Sequence, residues 1–165
     1  MSNPIIFDTN IYLSAFLHCT EISQSILSYG VLNFGVIISP HQYREILNVF
    51  FRISIDGKNT GNYSYEDSTK LLERFISLKS VEICHPLNVF HLEGEQDFQS
   101  YQKLAIKDPK DVFLLDLAKY TNASYLITRD FRLIEALGGS KNNPVFYQTT
   151  MVINQGIFAR SVMGI

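Results

Sequence analysis

Tryptophan is absent, cysteine occurs only twice and proline only five times in this chain of 165 residues. Cys19 and Cys84 stand far apart and outside any C-x-x-C spacing, which excludes a disulfide framework and a zinc ribbon. Reduced thiols in the cytoplasm are the expectation. Surplus charge is also missing: 14 Lys and Arg against 16 Asp and Glu leave a net charge of −2. No global positive field draws in nucleic acid, so any such binding has to be local. Long apolar runs are interrupted as well. Ile22 to Tyr43 carries no charged residue, yet Ser, Gly, Asn and Pro break it, and the start of the chain has no basic region and places Asp8 inside its apolar stretch. Neither a membrane span nor a secretory signal is expected. What remains is 46% hydrophobic and 18% charged, the balance of an ordinary globular protein, in a length that suits a single domain over residues 1–165.

Short, strongly apolar runs alternate with helical patterns, the rhythm of a parallel sheet covered by helices on both faces. Strands are expected at 4–7, 34–38, 81–83 and 125–127, with a last one at 144–147. Helices are expected over 10–18, 21–29, 40–51, 65–78, 93–106, 108–122 and 131–137. Ser39-Pro40 reads as a helix N-cap followed by proline in the first helical position. The polar run from Asp56 to Ser64 reads as a loop. It is not a calcium loop, because Lys58 falls where an oxygen ligand belongs.

In open parallel sheets the ligand crevice lies beyond the carboxyl ends of the strands. Acidic residues gather there in this sequence. Asp8 follows Ile5-Ile6-Phe7, Asp130 follows the run ending Thr128-Arg129, Asp111 sits in the first turn of a helix, and Glu45 lies in the helix after the second strand. Each has a bland reading too: Asp8 and Asp130 as N-caps, Asp111 as the third position of a capping box opened by Asp108, and Glu45 as a solvated residue paired with Arg44 or Arg52. Capping accounts for an acid at a helix start, but not for one at each opening of the sheet. Converging carboxylates repel unless protons or a cation neutralise them. With no His or Cys in the set, a hard ion, Mg²⁺ or Mn²⁺, is the expected partner, and hydrolysis of phosphodiesters the expected chemistry.

Four stretches, IIFDTNIYLSAFL around Asp8, ISPHQYREILNVF around Glu45, DPKDVFLLDLA around Asp111 and SYLITRDFRLI around Asp130, together resemble the PIN-domain nucleases, especially those of toxin–antitoxin type. The resemblance runs from Ile5 to about Leu137. It implies a Rossmann-like, three-layer α/β/α fold with a mostly parallel sheet of four to five strands, and metal-dependent cleavage of single-stranded RNA. It carries metal binding and catalysis onto Asp8, Glu45, Asp111 and Asp130, and a supporting role onto Asn10 and Thr128. An antitoxin partner follows from the same family habit, and a homodimer through the early uncharged helices is a further expectation.

The sequence departs from the family in two places. The acidic run before the third site is shortened to Asp108-Pro-Lys-Asp111, and Asp116 offers another carboxylate in the same helix; five residues turn it about 140° from Asp111, so the two cannot share an ion. Arg129 stands where small neighbours are usual. Arg44, Arg52, Lys107, Lys110, Arg129 and Arg132 are candidate phosphate contacts, with Arg129 and Lys110 nearest the rim. Tyr12, Phe16 and Tyr43 suit base stacking or, more simply, core packing. None of the four histidines has metal-ligand spacing. A haloacid dehalogenase-type phosphatase needs a second carboxylate where Asn10 stands, and a response-regulator receiver needs an acidic pair and a late lysine that are missing. The remaining alternative is a catalytically silent PIN-like module that binds RNA or protein.

Overall fold

The computed structural model describes residues 3–55, 64–84, 106 and 108–165. Residues 56–63 of the expected loop at 56–64, most of the expected helix over 93–106, and Lys107 lie outside them. In chain order the elements are β1 (Pro4–Phe7), α1 (Thr9–Phe16), α2 (Glu21–Asn33), β2 (Gly35–Ile38), α3 (Pro40–Ile55), α4 (Tyr65–Ile76), β3 (Val81–Ile83), α5 (Pro109–Thr121), β4 (Tyr125–Thr128), α6 (Phe131–Ala136), β5 (Val145–Tyr147), β6 (Thr150–Asn154) and the single-turn α7 (Gln155–Phe158), which runs into a π turn at Ala159–Met163.

Six strands form one sheet in the order β3-β2-β1-β4-β6-β5. All neighbours are parallel except β5 and β6. After β1 the chain builds outward through β2 and β3, then returns to place β4 on the other side of β1. That reversal makes the carboxyl ends of β1 and β4 a topological switch point, where a crevice must open because successive connections leave in opposite directions.

The sheet exceeds the expected four to five strands by β6, which follows the expected last strand at 144–147. That segment is an antiparallel edge strand held only by β6, while β6 is the inner strand paired with β4 through Thr128 and Asn154. Its sequence, TMVIN, carries polar residues at both ends, which masks a buried strand from an apolar-run criterion. Helix α2 runs past Tyr29 to Asn33 and α3 past Phe51 to Ile55.

Successive strand residues feed opposite cores. Ile5, Phe7, Val36 and Ile38 join a cluster with α1 to α4 and the C-terminal turn, whereas Ile6, Ile37 and Leu126 meet Leu114, Leu115, Ala118 and Leu133 from α5 and α6. Tyr12 lies fully buried, edge-on to Phe7 at 5.9 Å and to Phe75 at 5.7 Å, and Phe16 packs beside it. Two of the candidate stacking rings are thus core, as helix-face spacing favours, and Tyr43 also packs against the core.

Close approach between layers is set at Gly30 on α2, where an added Cβ would stand 2.6 Å from Phe7 Cζ and 2.8 Å from Ile5 Cδ1. Neither ring nor branched chain can move away within a buried strand. Gly30→Ala should therefore cost about 1–3 kcal/mol by overpacking, read as a lower midpoint in thermal or urea unfolding.

Candidate active site

Local sequence sets the position of each acid. Ser39 caps α3 and Gln42 closes the capping box: the Gln42 N–H donates to Ser39 Oγ and the Ser39 N–H to Gln42 Oε1, both at 3.1 Å. The buried Gln42 amide then donates to the Phe7 carbonyl at 2.7 Å, pinning α3 to the end of β1. Glu45, three residues on, faces the mouth of the sheet as a result. Asp8 and Asp130 cap α1 and α6 by accepting from the N–H groups of Asn10 at 3.4 Å and Arg132 at 2.8 Å. Asp108 caps α5 through the Lys110 N–H at 2.9 Å, and Asp111 follows in the first turn. The capping reading is thus correct for Asp8 and Asp130, and it does not compete with the functional one. A cap fixes a carboxylate at a helix start, next to the positive end of the peptide dipoles.

Asp8, Glu45, Asp111 and Asp130 line one cleft of about 260 Å³ at the switch point, together with Asp108 and Lys110. Asp116 does not line it, in agreement with its angular offset. Thr128, fully buried, ties two of the acids together. Its hydroxyl donates to Asp8 Oδ2 at 2.7 Å and accepts from the Asp130 N–H at 2.8 Å. Asn10 supports Asp8 through its backbone, and its side chain is exposed at the cleft.

Replacing Thr128 by the near-isosteric valine strands a buried carboxylate oxygen and a backbone N–H. We expect Thr128→Val to lower stability by about 2 kcal/mol, roughly 4–8 °C in thermal midpoint for a chain of this length. The same change should move the Asp8 carboxyl further upward in pKa, seen as a shift of the residual activity profile to higher pH.

The electrostatics follow from burial and crowding. Asp8 is 7% exposed, and burial raises its carboxyl above the ordinary range; the Thr128 hydroxyl and the Asn10 N–H oppose this, and the charges of Asp130 and Glu45 add to it. Asp111 is pushed up to about 7, first by burial and then by Asp108, Asp8 and Asp130, with Lys110 the counteracting charge. Glu45 is half-buried and doubly held. Its Oε2 accepts from the Thr9 hydroxyl at 2.8 Å, and its Oε1 pairs with the Lys110 ammonium. Lys110, rather than Arg44 or Arg52, is the partner of Glu45. Arg129 is exposed and reaches back to donate to the buried Ser14 hydroxyl.

Thr9, Gln42 and Asp108 went unmarked as site residues in the sequence. Ser39-x-x-Gln42 is a legible capping box, whereas the Thr9 to Glu45 bond joins positions 36 residues apart and needs the fold to be seen.

Among the described residues, no three His, Cys, Asp or Glu side chains stand close enough to hold one ion together. The donor chemistry nonetheless fits a hard divalent cation. Every acidic group in the cleft is an oxygen donor, burial first and then the neighbouring acids push the Asp111 carboxyl up to about 7, and among the described residues only Lys110 pairs with one of these acids. Bringing three carboxylates onto one ion requires side-chain rotation, and a direct Glu45 contact would also require its release by Lys110.

A doubly wound sheet with a carboxylate cleft at its switch point defines a Rossmann-like α/β protein. The family model for the PIN domain matches residues 4–132, a span that includes all four acids, and the chain belongs to that family. Among solved structures, a chain in the crystal structure of VapBC2 from Rickettsia felis, bound to a DNA fragment from their promoter, matches with a TM-score of 0.63 and 18% identity over 92% of this chain and 98% of that one. At that identity the likeness is one of fold. No curated protein matches the chain.

Proposed function

We propose that the protein is a single PIN-like domain that hydrolyses single-stranded RNA with Mg²⁺ or Mn²⁺. The observation that carries this reading is the convergence of Asp8, Glu45, Asp111 and Asp130, from four separate chain segments, on one cleft at the carboxyl end of a parallel sheet. Asp8, Asp111 and Asp130 would hold the ion, with Glu45 joining directly or through water. Bound there, the ion supplies the positive charge that polarises a phosphate and acidifies a water for in-line attack.

The protein's own part is preorganisation. Thr128 fixes the spacing of Asp8 from the Asp130 backbone, Thr9 orients Glu45, and the capped helix starts hold the carboxylates in place without a side-chain nucleophile. Lys110, which lines the cleft and would first leave Glu45, and Arg129, which directly precedes Asp130, are the proposed phosphate contacts. Such contacts position a strand and do not read its sequence.

Cleavage of a labelled single-stranded RNA should require Mn²⁺ or Mg²⁺, stop with EDTA, and be lost in Asp130→Asn. Cleavage that survives EDTA, or full activity in that variant, overturns the assignment.

The toxin role extends this reading. It is supported by the motif resemblance to toxin–antitoxin PIN proteins and by the shared fold with a chain of VapBC2. An antitoxin would place a basic side chain against the same acids, in a cytoplasmic complex. Two free cysteines and the absence, among the described residues, of any helix long and apolar enough to cross a membrane are compatible with that setting. A small basic protein encoded beside this one should co-purify with it and stop cleavage; a partner that binds without inhibiting would leave the toxin assignment without support.

A further inference from the structure

Helix α3 spends only part of its surface on the core. Gln42, Ile46 and Phe50 are buried, while Arg44, Asn48, Phe51 and Arg52 turn outward. At 100° per residue these four positions fall within an arc of about 100°, so they form one stripe. They line a groove of about 540 Å³ that shares His41, Glu45, Arg52 and Lys110 with the acidic cleft, which makes the two continuous. Glu45 and Arg52 are seven residues apart, about 10 Å along the helix axis.

Two features of this stripe are unspent. Phe51 is 53% exposed, and its contact with Tyr65, at 6.2 Å and 70°, engages at most one face of its ring. Among the described residues no salt bridge uses Arg44 or Arg52, and the single acid in the groove, Glu45, is taken by Lys110. An open aromatic face between two free guanidinium groups, leading into a phosphodiester-cleaving cleft, matches the chemistry of a single strand: bases stack on the ring and phosphates meet the cations. Phe and Arg also suit protein interfaces, and what favours a nucleic-acid strand is that the groove opens directly into the acidic cleft.

We infer that the α3 stripe is the subsite for the RNA nucleotide flanking the cleaved bond, with its base stacked on Phe51 and its phosphates on Arg44 and Arg52. This rests on the reading of the protein as a ribonuclease. It also moves the main strand contacts away from Arg129, whose guanidinium is engaged with Ser14.

The test is binding of a fluorescein-labelled single-stranded RNA by the full chain in EDTA, followed by anisotropy. Phe51→Ala should weaken binding about 10-fold, Phe51→Trp should restore it, and an abasic strand should bind wild type and Phe51→Ala alike. Arg44→Ala with Arg52→Ala should lower the slope of log affinity against log salt by about 0.7 per arginine. Arg74→Ala, an exposed position on α4, serves as the control and should change neither affinity nor slope by a comparable amount. Unchanged RNA affinity in both α3 variants, the outcome expected if the face serves a protein, overturns the subsite while leaving the nuclease reading standing. Absence of any RNA binding by wild type at millimolar protein likewise overturns the subsite, and the nuclease reading is then decided separately by the Mn²⁺-dependent cleavage assay. The double arginine variant alters only exposed side chains, so the question stays answerable if Phe51→Ala folds poorly.

Discussion

Asp8→Asn should reduce RNA cleavage at least about 100-fold and at the same time make the metal-free protein more stable at pH 8. The two effects share one cause. Asp8 is 7% exposed, and burial raises its carboxyl, so the ionised form costs the fold free energy. For an acid whose folded pKa is raised, that cost begins as pH climbs past the unfolded value of about 3.9 and is complete above the folded one. Asparagine removes the charge and keeps the shape. With its oxygen turned toward Thr128 it still accepts from that hydroxyl, and only the long 3.4 Å contact from the Asn10 N–H is lost. A neutral amide, however, cannot offset a divalent cation, and losing one charged stabilising group from a preorganised site costs on the order of 10²–10³ in rate. Thermal unfolding of both forms in EDTA, beside the cleavage rate in Mn²⁺, decides this. A variant that loses activity only because it unfolds would show the opposite stability change.

Raising pH from 5 to 8 should lower the thermal midpoint of the metal-free protein by several degrees, and millimolar Mn²⁺ at pH 8 should recover it. Asp111 sets the window. Its carboxyl titrates near 7 in the fold, for reasons of burial and of crowding by Asp108, Asp8 and Asp130 that Lys110 only partly relieves. Between the unfolded pKa of about 3.9 and 7 the folded chain binds more protons than the unfolded one, so stability falls as pH rises, and levels off above. On the proposed reading a divalent ion would take the place of the proton. Its affinity, and with it the cleavage rate, should increase through pH 7, because only ionised carboxylates bind it, and occupancy of the folded state alone adds stability by mass action. Asp111→Asn should flatten the pH dependence of the midpoint and remove much of the Mn²⁺ effect. A midpoint indifferent to both pH and Mn²⁺ would mean that the acids of the cleft do not act as one electrostatic unit.

The inner sheet was readable from sequence because β1, β2 and β4 are apolar on both sides, as a strand covered by helices must be. The edge was not. β5 alternates between half-buried and exposed residues, β6 begins and ends in polar ones, and the pairing that makes β6 the inner strand depends on β4 far earlier in the chain. Helix starts were equally legible, since Ser39, Asp108 and Asp130 each precede a helical pattern and use side-chain oxygens to satisfy N–H groups that lack a partner within the helix.

Sequence alone marked which acids gather at the cleft: Asp8, Glu45, Asp111 and Asp130 stand just after apolar strands or in the first turns of helices, and carboxylate is their donor type before any coordinate is known. Tertiary structure decided how those acids are held. That Thr128 bridges Asp8 and Asp130, that Thr9 and Lys110 divide the oxygens of Glu45, and that Arg44, Phe51 and Arg52 form one open stripe beside the cleft all depend on contacts between distant segments. The reason is physical. Residue type and local spacing fix helix and strand propensity and the chemistry of each side chain, whereas burial, proton affinity and hydrogen-bond partnership are properties of the space that folding creates around them.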